Sequence, residues 1–128
     1  MTWLLLACSM SNPTTNFGGS GLVHPVVVET TPTAGAIDVD PSLDRVRVVF
    51  SAPMRDQSWS FVSVNPDLYP NFQGDPEYVD DRTVEMAVEL EPERDYLFWL
   101  NMEPYLGFRD VSGIPAVPYQ LSFRTGPE

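Results

Sequence analysis

Lysine is absent from this chain, and cysteine and histidine occur once each, as Cys8 and His24. Without lysine there is no P-loop, no Schiff base and no Ser-Lys nucleophile. A single cysteine excludes an internal disulfide and any cysteine-based zinc cluster. A Ser-His-Asp triad would have to use His24, which stands in a linker-like segment ahead of the folded region. Positive charge is scarce as well: seven arginines face 18 Asp and Glu residues, for a net charge of −11. Such a surface repels phosphate backbones, so nucleic acid is not an expected partner.

Sustained helical periodicity is also missing. Thirteen prolines and eight glycines interrupt the chain too often for long helices. A hydrophobic content of 43% is that of a globular protein, and 128 residues suffice for one domain plus an extension. What remains is short alternating runs between turn signals, the all-β pattern.

Met1 to Ser9 is a short apolar run, far below the roughly 20 residues a bilayer span needs. Leu5-Leu6-Ala7-Cys8 resembles the lipobox that ends a bacterial lipoprotein signal peptide. The resemblance implies a partial signal peptide over 1–7, cleavage before Cys8, and acyl chains on Cys8 that anchor the chain to a membrane. Residues 11–25 are rich in Ser, Asn, Thr, Gly and Pro, and with the lipidated cysteine they form an expected flexible tether over 8–25. Gly18-Gly19-Ser20-Gly21 lacks the strand and helix of a phosphate loop and reads as linker.

The folded domain is expected over 26–126. Val26 to Thr31 reads as a first strand, and Ile37 and Val39 as plugs for one end of the core. Arg45 to Phe50 alternates, with Val46, Val48 and Phe50 inward. Phe61 to Val64 is a short strand. Asn65 to Asp81 is acidic, proline-rich and irregular, with one or two ill-defined strands. Thr83 to Val88 alternates again, with Val84, Met86 and Val88 inward. Next comes the most aromatic strand. It places Tyr96, Phe98, Leu100 and Met102 on one face and Leu97, Trp99 and Asn101 on the other. Glu103 to Pro118 is a long excursion, and Tyr119 to Thr125 closes the domain. About seven strands without a helix predict a two-sheet antiparallel β-sandwich.

Five motifs in order resemble the bacterial Ig-like domain of the S-layer-protein type. They are the turn Pro32-Thr33-Ala34-Gly35-Ala36, the strand end Phe50-Ser51-Ala52-Pro53-Met54, the corner from Leu90 to Tyr96, the turn Asp110-Val111-Ser112-Gly113, and the closing Phe123-Arg124-Thr125. The resemblance implies an Ig-like sandwich used as a spacer, stalk or interaction surface in envelope proteins, with no shared catalytic residues. Leu90 and Tyr96 are the expected structural corner, the tyrosine hydroxyl bonding back to backbone upstream.

Three function classes are carried forward. The first is a non-enzymatic, lipid-anchored envelope module that contacts an envelope or extracellular macromolecule. The second is a carbohydrate- or calcium-binding module. Trp59, Trp99 and Tyr105, with Tyr69 and Phe108, are aromatic contact candidates for sugars or, under the first class, for a partner. Asp75, Glu77, Asp80 and Asp81 are its weak calcium candidates, in a spacing that matches no EF-hand. The third is a small hydrolase using paired carboxylates. No cofactor is expected.

Overall fold

The computed structural model describes residues 22–128. Cys8, the lipobox and most of the expected tether lie outside the described residues. The described residues contain seven strands: β1 (Val27–Thr31), β2 (Arg45–Phe50), β3 (Phe61–Val62), β4 (Asn71–Asp80), β5 (Thr83–Glu89), β6 (Asp95–Leu100) and β7 (Tyr119–Arg124). They form two antiparallel sheets, β1-β2-β5-β4 and β3-β6-β7. The expected all-β, two-sheet sandwich is what the chain adopts.

Alternation explains how the sheets meet. Val46, Val48 and Phe50 of β2 and Val84, Met86 and Val88 of β5 are buried from one side. Tyr96, Phe98 and Leu100 of β6, with Leu121 and Phe123 of β7, are buried from the other. A period of two puts each set on a single face, and the two faces close on each other. Phe98 lies at the centre, with ring centroids of Phe61 at 6.0 Å and Phe72 at 5.2 Å. Phe108, from the connection between β6 and β7, fills the end of the core 5.2 Å from Phe50 and 5.3 Å from Phe61.

Several expectations are corrected. Asn65 to Asp81 is not mainly irregular: ten of its residues form β4, the edge strand beside β5. Phe72 and Tyr78 face the core, and two register shifts, Gln73/Glu77 and Tyr78/Asp80, absorb the Gly74–Pro76 interruption that hides the alternation in the sequence. Ile37 does not plug the core; it is 78% exposed. The segment from Gly35 to Val39 runs along the outer edge of β7 instead. Gly35 N donates to Ser122 O at 2.7 Å, Arg124 N to Ala36 O at 2.8 Å, and Val39 N to Arg124 O at 3.1 Å. Of the two expected plugs only Val39 packs against the core. Met102 does not continue the inner face of β6, because the strand ends at Leu100 and Asn101 takes a left-handed φ of 67°. Asn101 is therefore fully buried rather than on the outer face.

The sheet edges are protected in different ways. β7 is covered by Gly35 to Val39, while β4 carries Pro76, two bulges and the carboxylates of Asp75, Glu77 and Asp80. These devices discourage strand addition at an open edge.

Candidate interaction surface

The corner between β5 and β6 is a small hydrogen-bonded frame. Glu91 N donates to the Tyr96 hydroxyl at 2.8 Å. Arg94 N donates to Thr125 Oγ1 at 2.9 Å, and that hydroxyl donates to Glu91 O at 2.5 Å. Leu90 is buried beneath, and the Arg94 guanidinium lies 5.8 Å over the Tyr96 ring. Tyr96 thus has the geometry of a tyrosine corner, with Leu90 as its apolar seat. Thr125 is the partner that sequence reasoning missed. Its place in the closing Phe-x-Thr motif was visible, but its contact with a turn 34 residues earlier was not.

A second frame holds the long excursion before β7. The Asn101 carboxamide donates to Phe108 O at 2.9 Å and to Ala116 O at 3.0 Å, and its oxygen accepts from Phe108 N at 2.9 Å. All three polar positions of a fully buried amide are therefore satisfied, as burial requires. Gly107 sits against the backbone of Trp59 and the hydroxyl of Ser60, where a Cβ would overlap the Trp59 carbonyl oxygen.

The aromatic contact candidates do not assemble into a platform. Phe108 is wholly core, and Tyr69 stands edge-on to Phe72 and Phe98 with centroids at 5.2 and 6.4 Å. Burial pushes the Tyr69 phenol up in pKa, and burial followed by the charge of Asp56 does the same to Tyr78. Trp59 packs against the core from the side. Tyr105 is 62% exposed on the excursion. Trp99 stands apart from all of these on the outer face of the three-stranded sheet, half-buried opposite Val62 and Gln120.

The acidic candidates do not converge either. Among the described residues no group of three His, Cys, Asp or Glu side chains could hold a metal ion. Asp75, Glu77 and Asp80 are strung along β4 rather than gathered in a loop, and Asp81 lies in the turn that follows. The Asp80 carboxylate accepts from Arg82 N at 2.9 Å, and its pKa is lowered, chiefly by that bond. His24 is exposed, as a solvated residue is, but it also touches the domain: its Nδ1 donates to Pro115 O at 2.7 Å, and Val117 N donates to the carbonyl of the buried Pro25. Residues just ahead of Val26 thus make hydrogen bonds with the connection that precedes β7.

The outer face of β6 and β7 does carry a concavity. Leu97 and Ser122 form its floor, Gly35 to Ile37 one wall and Leu68 the other, around a volume of about 360 Å³. Leu97 N donates to Leu68 O at 2.9 Å, which fixes that wall to the strand. Asp95 and Arg124 close one end as a 3.2 Å ion pair. This trough is built from backbone-anchored parts, and among the described residues no other strand covers its floor.

The order β1-β2-β5-β4 against β3-β6-β7 defines a seven-strand immunoglobulin-like sandwich of the constant-domain topology. Within it lie a tyrosine corner, a buried asparagine and a trough on the outer face of the three-stranded sheet. The chain belongs to the bacterial Ig-like domain family, whose model matches residues 23–125. Among solved structures it is similar to the S-layer protein rSbsC(31-844), with a TM-score of 0.50 and 16% identity. It is likewise similar to surface layer protein SbsC, domains 1-6, with a TM-score of 0.51 and 16% identity. Each alignment covers 81% of this chain and 14% of the other, so this chain spans only a small part of those proteins. At such identity the likeness is one of fold. No curated protein matches the chain.

Proposed function

We propose that this protein is a non-enzymatic module of the bacterial cell envelope, anchored to a membrane through lipid on Cys8. Its Ig-like domain presents the outer face of the three-stranded sheet to another envelope or extracellular macromolecule. The observation that carries this reading is that face itself. Leu97 and Trp99 lie on it only half-buried, with Leu97 in the floor of an open trough. Membership of the bacterial Ig-like family and likeness to surface-layer proteins support a surface setting. The Leu5-Leu6-Ala7-Cys8 sequence supports the anchor, and 13 residues lie between Cys8 and Leu22. Fully extended, that segment reaches about 50 Å, enough to stand the domain off a bilayer.

Two experiments test the two halves. Intact mass after expression in a Gram-negative host should show a chain beginning at an acylated Cys8; an unmodified chain beginning at Met1 overturns the anchor. The unlipidated Cys8→Ser chain should sediment saturably with isolated envelope fractions. Trp99→Glu should abolish that binding and Val79→Glu, on β4, should leave it intact. Equal effects of the two substitutions, or no binding at all, contradict the interaction surface.

A further inference from the structure

The two ends of the sandwich differ in surface chemistry. At one end β1 and β7 begin and β2 and β6 stop, and residues 22–26 enter the domain there. That entry is fixed to the fold. Pro25 O accepts from Val117 N at 2.9 Å, and Val26 O accepts from Ser51 N at 2.9 Å. Val111 is tied to the same place, its N donating to Pro53 O at 3.2 Å. Ten large apolar side chains are exposed among the described residues, and six of them lie at this end: Leu22, Val23, Val26, Tyr105, Val111 and Val117. The opposite end exposes only Ile37 and Val64. Single exposed apolar residues need no explanation, but their concentration at one end does.

Charge divides along the same axis. Residues 22–26, 51–60, 80–82 and 101–118 hold five Asp and Glu against Arg55, Arg82 and Arg109. At the far end, residues 32–45, 63–70, 89–95 and 124–128 hold nine against three arginines. Two of those three, Arg94 and Arg124, are taken up by ion pairs with Glu91 and Asp95. Among the described residues Arg55, Arg82 and Arg109 are in no ion pair. The Arg82 and Arg109 guanidiniums instead donate to Ser51 O and Gly113 O, on the loops of the entry end. The entry end is thus apolar and much nearer to charge balance, and the far end is strongly negative.

We infer that the domain rests by its entry end on the phospholipid surface to which Cys8 is tied, through Leu22, Val23, Val111 and Val117. This rests on the Cys8 anchor proposed above and adds an orientation to it. Thirteen residues lie between Cys8 and Leu22, so an anchored chain keeps this end beside the bilayer at a high effective concentration, and weak contacts suffice. The aliphatic side chains enter the headgroup boundary, and the arginines extend to lipid phosphates. An anionic leaflet repels the far end and so favours the same orientation. The outer face of β6 and β7 runs between the two ends and stays free for a macromolecule.

The test couples the full chain, through the thiol of its single cysteine Cys8, to a maleimide lipid in nanodiscs of phosphatidylethanolamine and phosphatidylglycerol. A gadolinium chelate on a second lipid headgroup broadens the amide signals of residues near it in nitrogen-15 NMR. Broadening should be strongest at residues 22–26, 111 and 117 and weakest at 38–44 and 91–95. Tether geometry alone favours 22–26, so positions 111 and 117 and the variants decide. Val23→Glu with Val111→Glu should lower the docked population at least about tenfold, the scale of two lost apolar contacts, and level the pattern. Ile37→Glu with Val64→Glu makes the same charge change at the far end and should leave the pattern intact. All four positions are exposed, so both variants should fold, and the dispersion of their spectra reports it. Even broadening throughout, strongest broadening at the far end or at Leu97 to Trp99, or a pattern that survives Val23→Glu with Val111→Glu would overturn the inference. Intact mass judges the anchor separately. An unmodified Cys8 in cells removes the anchor and the inference together, whereas an acylated Cys8 with a freely turning domain removes the inference alone.

Discussion

The Asn101 carboxamide grips Phe108, seven positions along the chain, at both its amide and its carbonyl, each at 2.9 Å. Phe108 could not be 0% exposed without that grip, because its own amide would be buried without a partner. Asn101→Ala should cost about 3 kcal/mol or more, since it strands Phe108 N and Ala116 O and also meets a left-handed φ. Asn101→Gly keeps the φ and loses the hydrogen bonds, so it should be less harmful by about 1 kcal/mol. Urea unfolding of both variants checks the order; a near-neutral Asn101→Ala would refute the grip.

Removing only the hydroxyl at the corner should cost less. Tyr96→Phe loses the bond from Glu91 N, and the exposed Glu91 gives that amide access to water. A loss of about 1 kcal/mol is expected. Thr125→Val should cost more than Tyr96→Phe, because Thr125 Oγ1 serves both Arg94 N and Glu91 O and is buried. Thermal melts of the two variants in the opposite order would contradict the frame described for the corner.

Much of this fold is readable from the sequence wherever alternation is clean. β2, β5, β6 and β7 each show inward residues every second position, and each has those residues buried. β4 is not readable, because bulges at Gly74 to Glu77 and near Val79 break the period of two that marks a strand. Asn101 is misread for a related reason: alternation assumes an extended backbone, and a φ of 67° turns the side chain inward. Tyr96 could be placed because its partner is five residues away. Thr125 and the trough depend on contacts between distant segments, which no local pattern encodes.

Two glycines meet different neighbours and should respond differently to alanine. A Cβ at Gly107 would collide with the main-chain carbonyl of Trp59, which β3 and its flanks hold in place. A Cβ at Gly126 would meet the end of the Asp38 side chain, which can swing away. Gly107→Ala should therefore destabilise by about 2 kcal/mol or more and Gly126→Ala by clearly less. Paired denaturation curves decide it, and equal losses would contradict the contact geometry.

The carboxylates of Asp40 and Asp80 are held below their ordinary value of 3.8, Asp40 first by the Ser42 amide and Asp80 first by the Arg82 amide. A folded pKa below the unfolded one stabilises the fold above the unfolded value, and the effect is lost as pH falls through the folded value. The stability gap between wild type and the Asp40→Asn, Asp80→Asn double variant should thus be present at neutral pH. It should close as pH drops well below 3.8. Measuring the difference removes the general relief of charge repulsion that acid brings to so acidic a chain. A gap that widens in acid would reverse the assigned sign.

The central claim is that the outer face of the three-stranded sheet, and not the four-stranded one, meets a partner in the envelope. Site-specific photo-crosslinking in living cells tests it most directly, with the photoreactive residue at Gln120, beside Trp99, or at Val79 on β4. A discrete adduct at position 120 and none at position 79 is the predicted result. Adducts at position 79 alone, or the same adducts at both, would contradict the account.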